Sequence, residues 1–95
     1  MKIISSETVL TGHWFVREGY VVADETCHRI DQLVNKHLKE VARDPSGWDV
    51  LYRDPDDERL WELTYPESHL HGGGPPQLRW LPLEEATSKY GTSFH

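Results

Sequence analysis

Gly47-Trp48-Asp49-Val50-Leu51-Tyr52-Arg53-Asp54-Pro55 runs through Asp56-Asp57-Glu58 into Arg59-Leu60-Trp61-Glu62-Leu63-Thr64-Tyr65-Pro66, and Gly72-Gly73-Gly74-Pro75-Pro76 follows soon after. Side chains on an extended chain alternate between two faces. Trp48, Val50 and Tyr52 therefore share one face, with Asp49, Leu51 and Arg53 on the other. In the second run Trp61, Leu63 and Tyr65 oppose Glu62 and Thr64. Proline and aspartates between the runs suit a turn. The stretch predicts an antiparallel hairpin with its aromatic face on the core, followed by a stiff loop almost free of side chains.

On the N-terminal side, residues 8–16 and 20–23 are rich in Val, Phe, Trp and Tyr and flank Arg17-Glu18-Gly19, which predicts a first hairpin. Asp24 offers an N-cap oxygen. Cys27, Ile30, Leu33, Val34, Leu38 and Val41 then recur at three- and four-residue spacing as far as Asp44-Pro45, which predicts a helix over 24–43. Its other face carries Glu25, Arg29, Gln32, Lys36, Lys39 and Glu40, a mixed set suited to solvent. Beyond the glycine–proline loop, residues 77–81 read as a strand and 83–90 as a short helix after Pro82. The expected fold class is α+β, one domain over residues 1–95: an antiparallel sheet with one main helix packed on one face and a short C-terminal helix. Trp48, Tyr52, Trp61, Tyr65, Ile30, Val34 and Leu38 are expected to share one core.

The chain has 95 residues, 37% hydrophobic and 27% charged, a balance typical of folded globular domains and unlike that of disordered tails. No run approaches the ~20 apolar residues that span a bilayer, and the N-terminus lacks the apolar stretch of a signal peptide. The expected location is the cytoplasm, with which a lone Cys27 agrees. Residues 44–67 carry eight acids against two bases, an excess equal to the net charge of −6 of the whole chain. Such a segment repels nucleic acid and anionic membrane and favours a basic partner; it equally suits a loop that serves only solubility.

Three candidate chemistries arise from residue type. His69 and His71 fall on one face of an extended segment, as in some metal sites, but no third ligand stands at a recognisable spacing. Cys27 lies on the apolar stripe, where an inert core thiol is expected. The clustered carboxylates occupy an expected exposed turn, without the burial that tunes an acid/base pair. No catalytic set, cofactor or metal is expected. The glycine–proline loop is a weak phosphate cradle, since no lysine or serine follows the glycines and prolines lack N–H groups. It suits either a tight crossover between strands or a backbone surface for a partner.

The chain resembles the Immunity protein 27 family of bacterial polymorphic toxin systems. The resemblance is carried by Leu10, Gly12 and Trp14, by Asp24, Arg29, Ile30 and Leu33, by Gly47, Trp48, Leu51, Tyr52, Arg53, Asp54, Pro55 and Arg59, and above all by Trp61-Glu62-Leu63-Thr64-Tyr65-Pro66 with Gly72-Gly73-Gly74-Pro75-Pro76. One departure lies in the turn, where Asp57-Glu58 precedes Arg59 and a glycine is expected. The resemblance implies a small cytoplasmic antidote that binds and blocks a toxin domain. A nuclease with a basic cleft would suit the acidic segment, and a peptidase or deaminase remains open. The residues expected at the partner surface are Asp54, Asp56, Asp57, Glu58, Glu62, His71 and Gly73. Two alternatives from other classes are a small metal-dependent hydrolytic enzyme using His69 and His71, and an interaction module unconnected to toxins.

Overall fold

A computed structural model describes residues 2–68 and 73–92. Their elements, in chain order, are β1 (Val9–Thr11), β2 (Trp14–Arg17), β3 (Tyr20–Ala23), α1 (Glu25–Lys36), β4 (Lys39–Arg43), β5 (Val50–Arg53), β6 (Leu60–Thr64), β7 (Gln77–Trp80) and α2 (Leu83–Tyr90). Five strands form one antiparallel sheet in the order β1-β7-β6-β5-β4, and β2 and β3 pair separately. The expected α+β class, with a main helix and a short C-terminal helix, is the fold observed.

The central hairpin takes the register its alternation predicts, with Tyr52 opposite Trp61 and Val50 opposite Leu63. Val50, Tyr52, Trp61, Leu63 and Leu78 join Leu10 and, from the helical side, Ile30, Leu33 and Leu38 in one apolar cluster. Leu51 and Leu60 point the other way and are covered by Leu81 and Ala86, so α2 closes the second face. The sheet is thus sandwiched, and β5 and β6 bury side chains on both faces. Fully burying each of these leucines and isoleucines contributes roughly 1.5–3 kcal/mol.

α1 begins where the sequence places it: the Asp24 side chain accepts a hydrogen bond from the Cys27 N–H at 2.9 Å. It ends earlier than the spacing predicts. The N–H groups of His37 and Leu38 both donate to the Leu33 carbonyl, and the chain then turns into β4. Val41 keeps helical spacing by coincidence. What decides the conformation is the open edge of β5, with which β4 pairs through a register shift between Glu40 and Ala42. As the edge strand, β4 carries Lys39, Glu40 and Arg43, charges that discourage further pairing. Arg29 also departs from the solvent face expected of it, since it clamps the N-terminal segment: Nη1 and Nη2 donate to Glu7 at 2.7 and 2.6 Å, and Nη2 donates to the Lys2 carbonyl. These hydrogen bonds hold the Glu7 carboxyl down from 4.5 to about 2.

Residues 8–16 are not one strand. They break at Gly12 and His13, and position 12 has room only for glycine: a Cβ there would stand 2.6 Å from Cys27 Sγ and 2.9 Å from the Pro76 carbonyl oxygen. On one side of this break β1 joins β7; on the other, β2 and β3 form the expected hairpin. Trp48 corrects the core assignment. It precedes β5, is 53% exposed, and meets the Tyr65 ring edge-on.

Candidate functional site

The turn between β5 and β6 holds four of the eight acids of segment 44–67: Asp54, Asp56, Asp57 and Glu58. Asp54 opens it as an internal cap: Oδ1 accepts the Asp56 N–H at 2.8 Å, while its backbone carbonyl accepts the Glu58 N–H. Asp57 closes it, accepting from the backbone N–H of Arg59 and, at 2.7 Å, from its Nε. Burial opposes the Asp57 charge, but these Arg59 hydrogen bonds outweigh it and lower the carboxyl's pKa. The other guanidinium nitrogens donate to the carbonyls of Glu7 and Ile4, and the guanidinium lies 4.8 Å over the Trp61 ring. One arginine therefore ties the turn, the N-terminal segment and the core together. Glu58 stands at φ 66, a left-handed conformation suited to glycine. It belongs to the Asp57-Glu58 pair where a glycine is expected, and here a glutamate takes the backbone shape that suits one.

Asp56, Asp57 and Glu58 are exposed, as expected of a partner surface. Asp54 and Glu62 are not. Asp54 is wholly buried, and Glu62 lies 3% exposed on the face that α2 covers. There Glu62 accepts from Tyr90 Oη at 2.7 Å, pairs with Lys89 at 2.7 Å and faces Arg79 at 3.6 Å. Burial and then the Glu62 hydrogen bond push the Tyr90 hydroxyl well above its ordinary range. Burial works against the Lys89 charge, yet its bonds to Asp49 and Glu62 prevail and hold the ammonium. Residue type alone predicts both acids to be exposed. The partners that make burial tolerable come from distant sequence. Within residues 44–67 the exposed acids are therefore Asp56, Asp57, Glu58 and Glu67.

The loop between β6 and β7 links neighbouring antiparallel strands, so it is a hairpin connection and not a crossover. Gly73 and Gly74 have φ of 91 and 77. A Cβ on Gly73 would touch the Trp48 ring at an ordinary 3.4 Å, whereas one on Gly74 would run into the Glu67 carbonyl, with its carbon at 2.8 Å. His69 and His71, together with the metal-enzyme reading built on them and the partner contact expected of His71, lie outside the described residues.

Cys27 is buried, and burial raises its thiol pKa, so a thiolate nucleophile is disfavoured there. Two features were not anticipated. The first is the apolar exposure of the β2–β3 hairpin, where Val16, Tyr20 and Val21 are 72%, 75% and 66% exposed and Phe15 is 41% exposed. The β-branched and aromatic composition that signals a strand is silent on whether anything covers it. The second is a side-chain cluster beneath the acidic turn. His37 Nε2 stands 3.1 Å from Asp54 Oδ1 and 3.3 Å from Asp56 Oδ2. Among the described residues, these three are the group whose donor atoms approach closely enough to hold a metal ion. No short-range spacing signals it, because His37 enters from the end of α1.

The family profile described as Immunity protein 27 matches residues 16–82. No match was found among curated proteins or solved structures. Among the described residues no helix is long and apolar enough to cross a membrane.

Proposed function

The chain belongs to the Immunity protein 27 family, and from that premise we propose that it is a cytoplasmic antidote that binds a cognate toxin domain directly and blocks it, with no chemistry of its own. The observation that carries this reading is the family match over residues 16–82, which takes in the end of β2, all of β3 and α1, and the sheet strands β4 to β7. The partner is a basic domain, and a nuclease whose cleft accommodates phosphates is the preferred class. Asp56, Asp57 and Glu58 project from the turn and would meet such a cleft, steering its approach electrostatically. Because Asp57 is also held by Arg59, the turn is presented to the partner already in shape.

A second docking surface is favoured by the exposure of Phe15, Val16, Tyr20 and Val21. Protein interfaces place aromatic and apolar side chains at their centre and charges at their rim. In this reading the hairpin supplies affinity and the acidic turn supplies rate.

The test is neutralisation and binding of the toxin domain encoded beside this chain. Co-expression should rescue growth, and purified partners should form a stable complex. Glu58→Lys, which disturbs only an exposed pair with Arg53, should slow association, as should raising salt to physiological strength, where the screening length is ~8 Å. Absence of a complex would reject the antidote reading. A complex whose association ignores both salt and Glu58→Lys would reject the acidic surface.

A further inference from the structure

We infer that His37, Asp54 and Asp56 form a binding site for one divalent cation of the zinc class, at the junction between the end of α1 and the β5–β6 turn. This goes beyond the antidote function and does not depend on it. Three observations meet at this point. The first is donor chemistry: an imidazole nitrogen and two carboxylates are a ligand set that zinc and its first-row neighbours accept, with a fourth position left for water.

The second is spacing. Ligands held tetrahedrally at zinc's usual bond lengths lie about 3.3 Å from one another. His37 Nε2 stands 3.1 Å from Asp54 Oδ1 and 3.3 Å from Asp56 Oδ2, and all three donor atoms fall within 4.8 Å. Small side-chain adjustments would bring them around one ion.

The third observation is the complete burial of the Asp54 carboxylate. A proton on Nε2, divided between the two aspartates, accounts for both of those distances. It leaves Asp54 Oδ2 without a hydrogen-bond partner among the described residues, although the side chain of Asp54 is 0% exposed. A buried carboxylate oxygen with no donor is costly, and such atoms are uncommon in folded proteins. A cation bound to this carboxylate would neutralise the charge that Oδ2 shares. The carbonyl end of α1 adds negative potential beside it. Among the described residues Lys2, 3.9 Å from Asp56, is the other cation paired with the cluster, and its side chain is 74% exposed, so it withdraws at little cost. Asp56 is itself 44% exposed, which gives an ion an entry path.

The experiment uses the full chain without an affinity tag, stripped by a chelator and then titrated with Zn²⁺ by calorimetry and with Co²⁺ by visible absorption. The expected result is one equivalent bound, intense cobalt bands of a four-coordinate site, and a melting temperature raised by zinc. His37→Gln and Asp56→Asn should each weaken binding by more than ~100-fold, since loss of even an outer-shell partner costs 10- to 100-fold. A His69→Gln/His71→Gln double variant should bind as wild type does. Absence of saturable one-to-one binding would overturn the assignment, as would binding that survives His37→Gln and Asp56→Asn in folded protein or disappears with the double variant. Should His37→Gln fail to fold, histidine side-chain NMR of the wild type decides. The His37 ring must shift on zinc addition; a shift confined to other histidines rejects the site.

Discussion

Two hairpins of this molecule, the first and the central one, are built alike and buried differently. β2–β3 and β5–β6 each join strands of four or five residues through a turn that sets a glutamate in the left-handed region, Glu18 at φ 52 and Glu58 at φ 66. In β5–β6 the side chains of both faces are buried, by α1's cluster on one side and α2's on the other. In β2–β3 the outer residues Val16, Tyr20 and Val21 meet solvent. Equal strand propensity thus leads to unequal burial, because burial depends on whether another layer is supplied. The covered hairpin holds the fold; the uncovered one is available to a partner.

The sharpest way to break this contrast is truncation. Trp61→Ala should cost ~3–5 kcal/mol in denaturant unfolding, a large share of a small domain's stability. Val16→Ala and Tyr20→Ser should each cost under ~0.5 kcal/mol. Equal losses would mean that the first hairpin is as structural as the second.

Next in size is the loop that seals the covered side. Gly74→Ala combines left-handed backbone with collision against the Glu67 carbonyl, and should destabilise by ~2–3 kcal/mol. Gly73→Ala meets only the φ penalty, ~1–2 kcal/mol. Melting temperatures in the opposite order would place the tight contact at the wrong glycine.

On the uncovered side, Val16→Asp with Tyr20→Ser should leave the melting temperature nearly unchanged and weaken toxin binding at least ~10-fold, as loss of an apolar interface centre does. Unchanged affinity would strip the hairpin of its binding role.

Acid sharpens the contrast from another side. Glu7 has a depressed carboxyl pKa in the folded state, so its bond to Arg29 contributes stability that is fully present above about 4.5 and is lost as pH falls toward 2. Arg29→Met should flatten this part of the stability–pH curve. A curve that keeps its slope below pH 4.5 in that variant would assign the effect to other carboxylates.

The smallest effect concerns the turns. Glu58→Gly should be neutral or stabilising by up to ~1 kcal/mol, since relief of left-handed strain is offset by glycine's entropy. Glu18→Gly should behave alike, and a clear loss in either would show that its side chain matters to the fold.

Much of the fold was legible because it is locally encoded. The Asp24 cap, the Tyr52–Trp61 alternation and α2 at Leu83–Tyr90 all stand where the sequence puts them. The failures share a cause, which is competition from distant partners. Helical spacing through Val41 yields to the edge of β5, and the alternation read through Trp48 stops where β5 starts at Val50. Of the expected surface, Asp56, Asp57, Glu58 and Gly73 are where a partner could meet them, or close to it. Asp54 and Glu62 are not, because His37, Lys89, Arg79 and Tyr90 give them buried company that no nearby residue announces.

The pairing of the first strand with the last has a consequence for how the chain matures. β4, β5 and β6 follow one another as a meander and can associate as they leave the ribosome. β1 finds its place only when β7 arrives, with Leu10 opposite Leu78. Contacts between such distant segments form slowly. Until β7 is made, β6 presents a bare backbone edge beside Trp61 and Leu63, the kind of edge that captures other chains. The growing chain must therefore be kept from aggregation until the seventh strand has been made, because only then does the sheet close over β6 and take in β1.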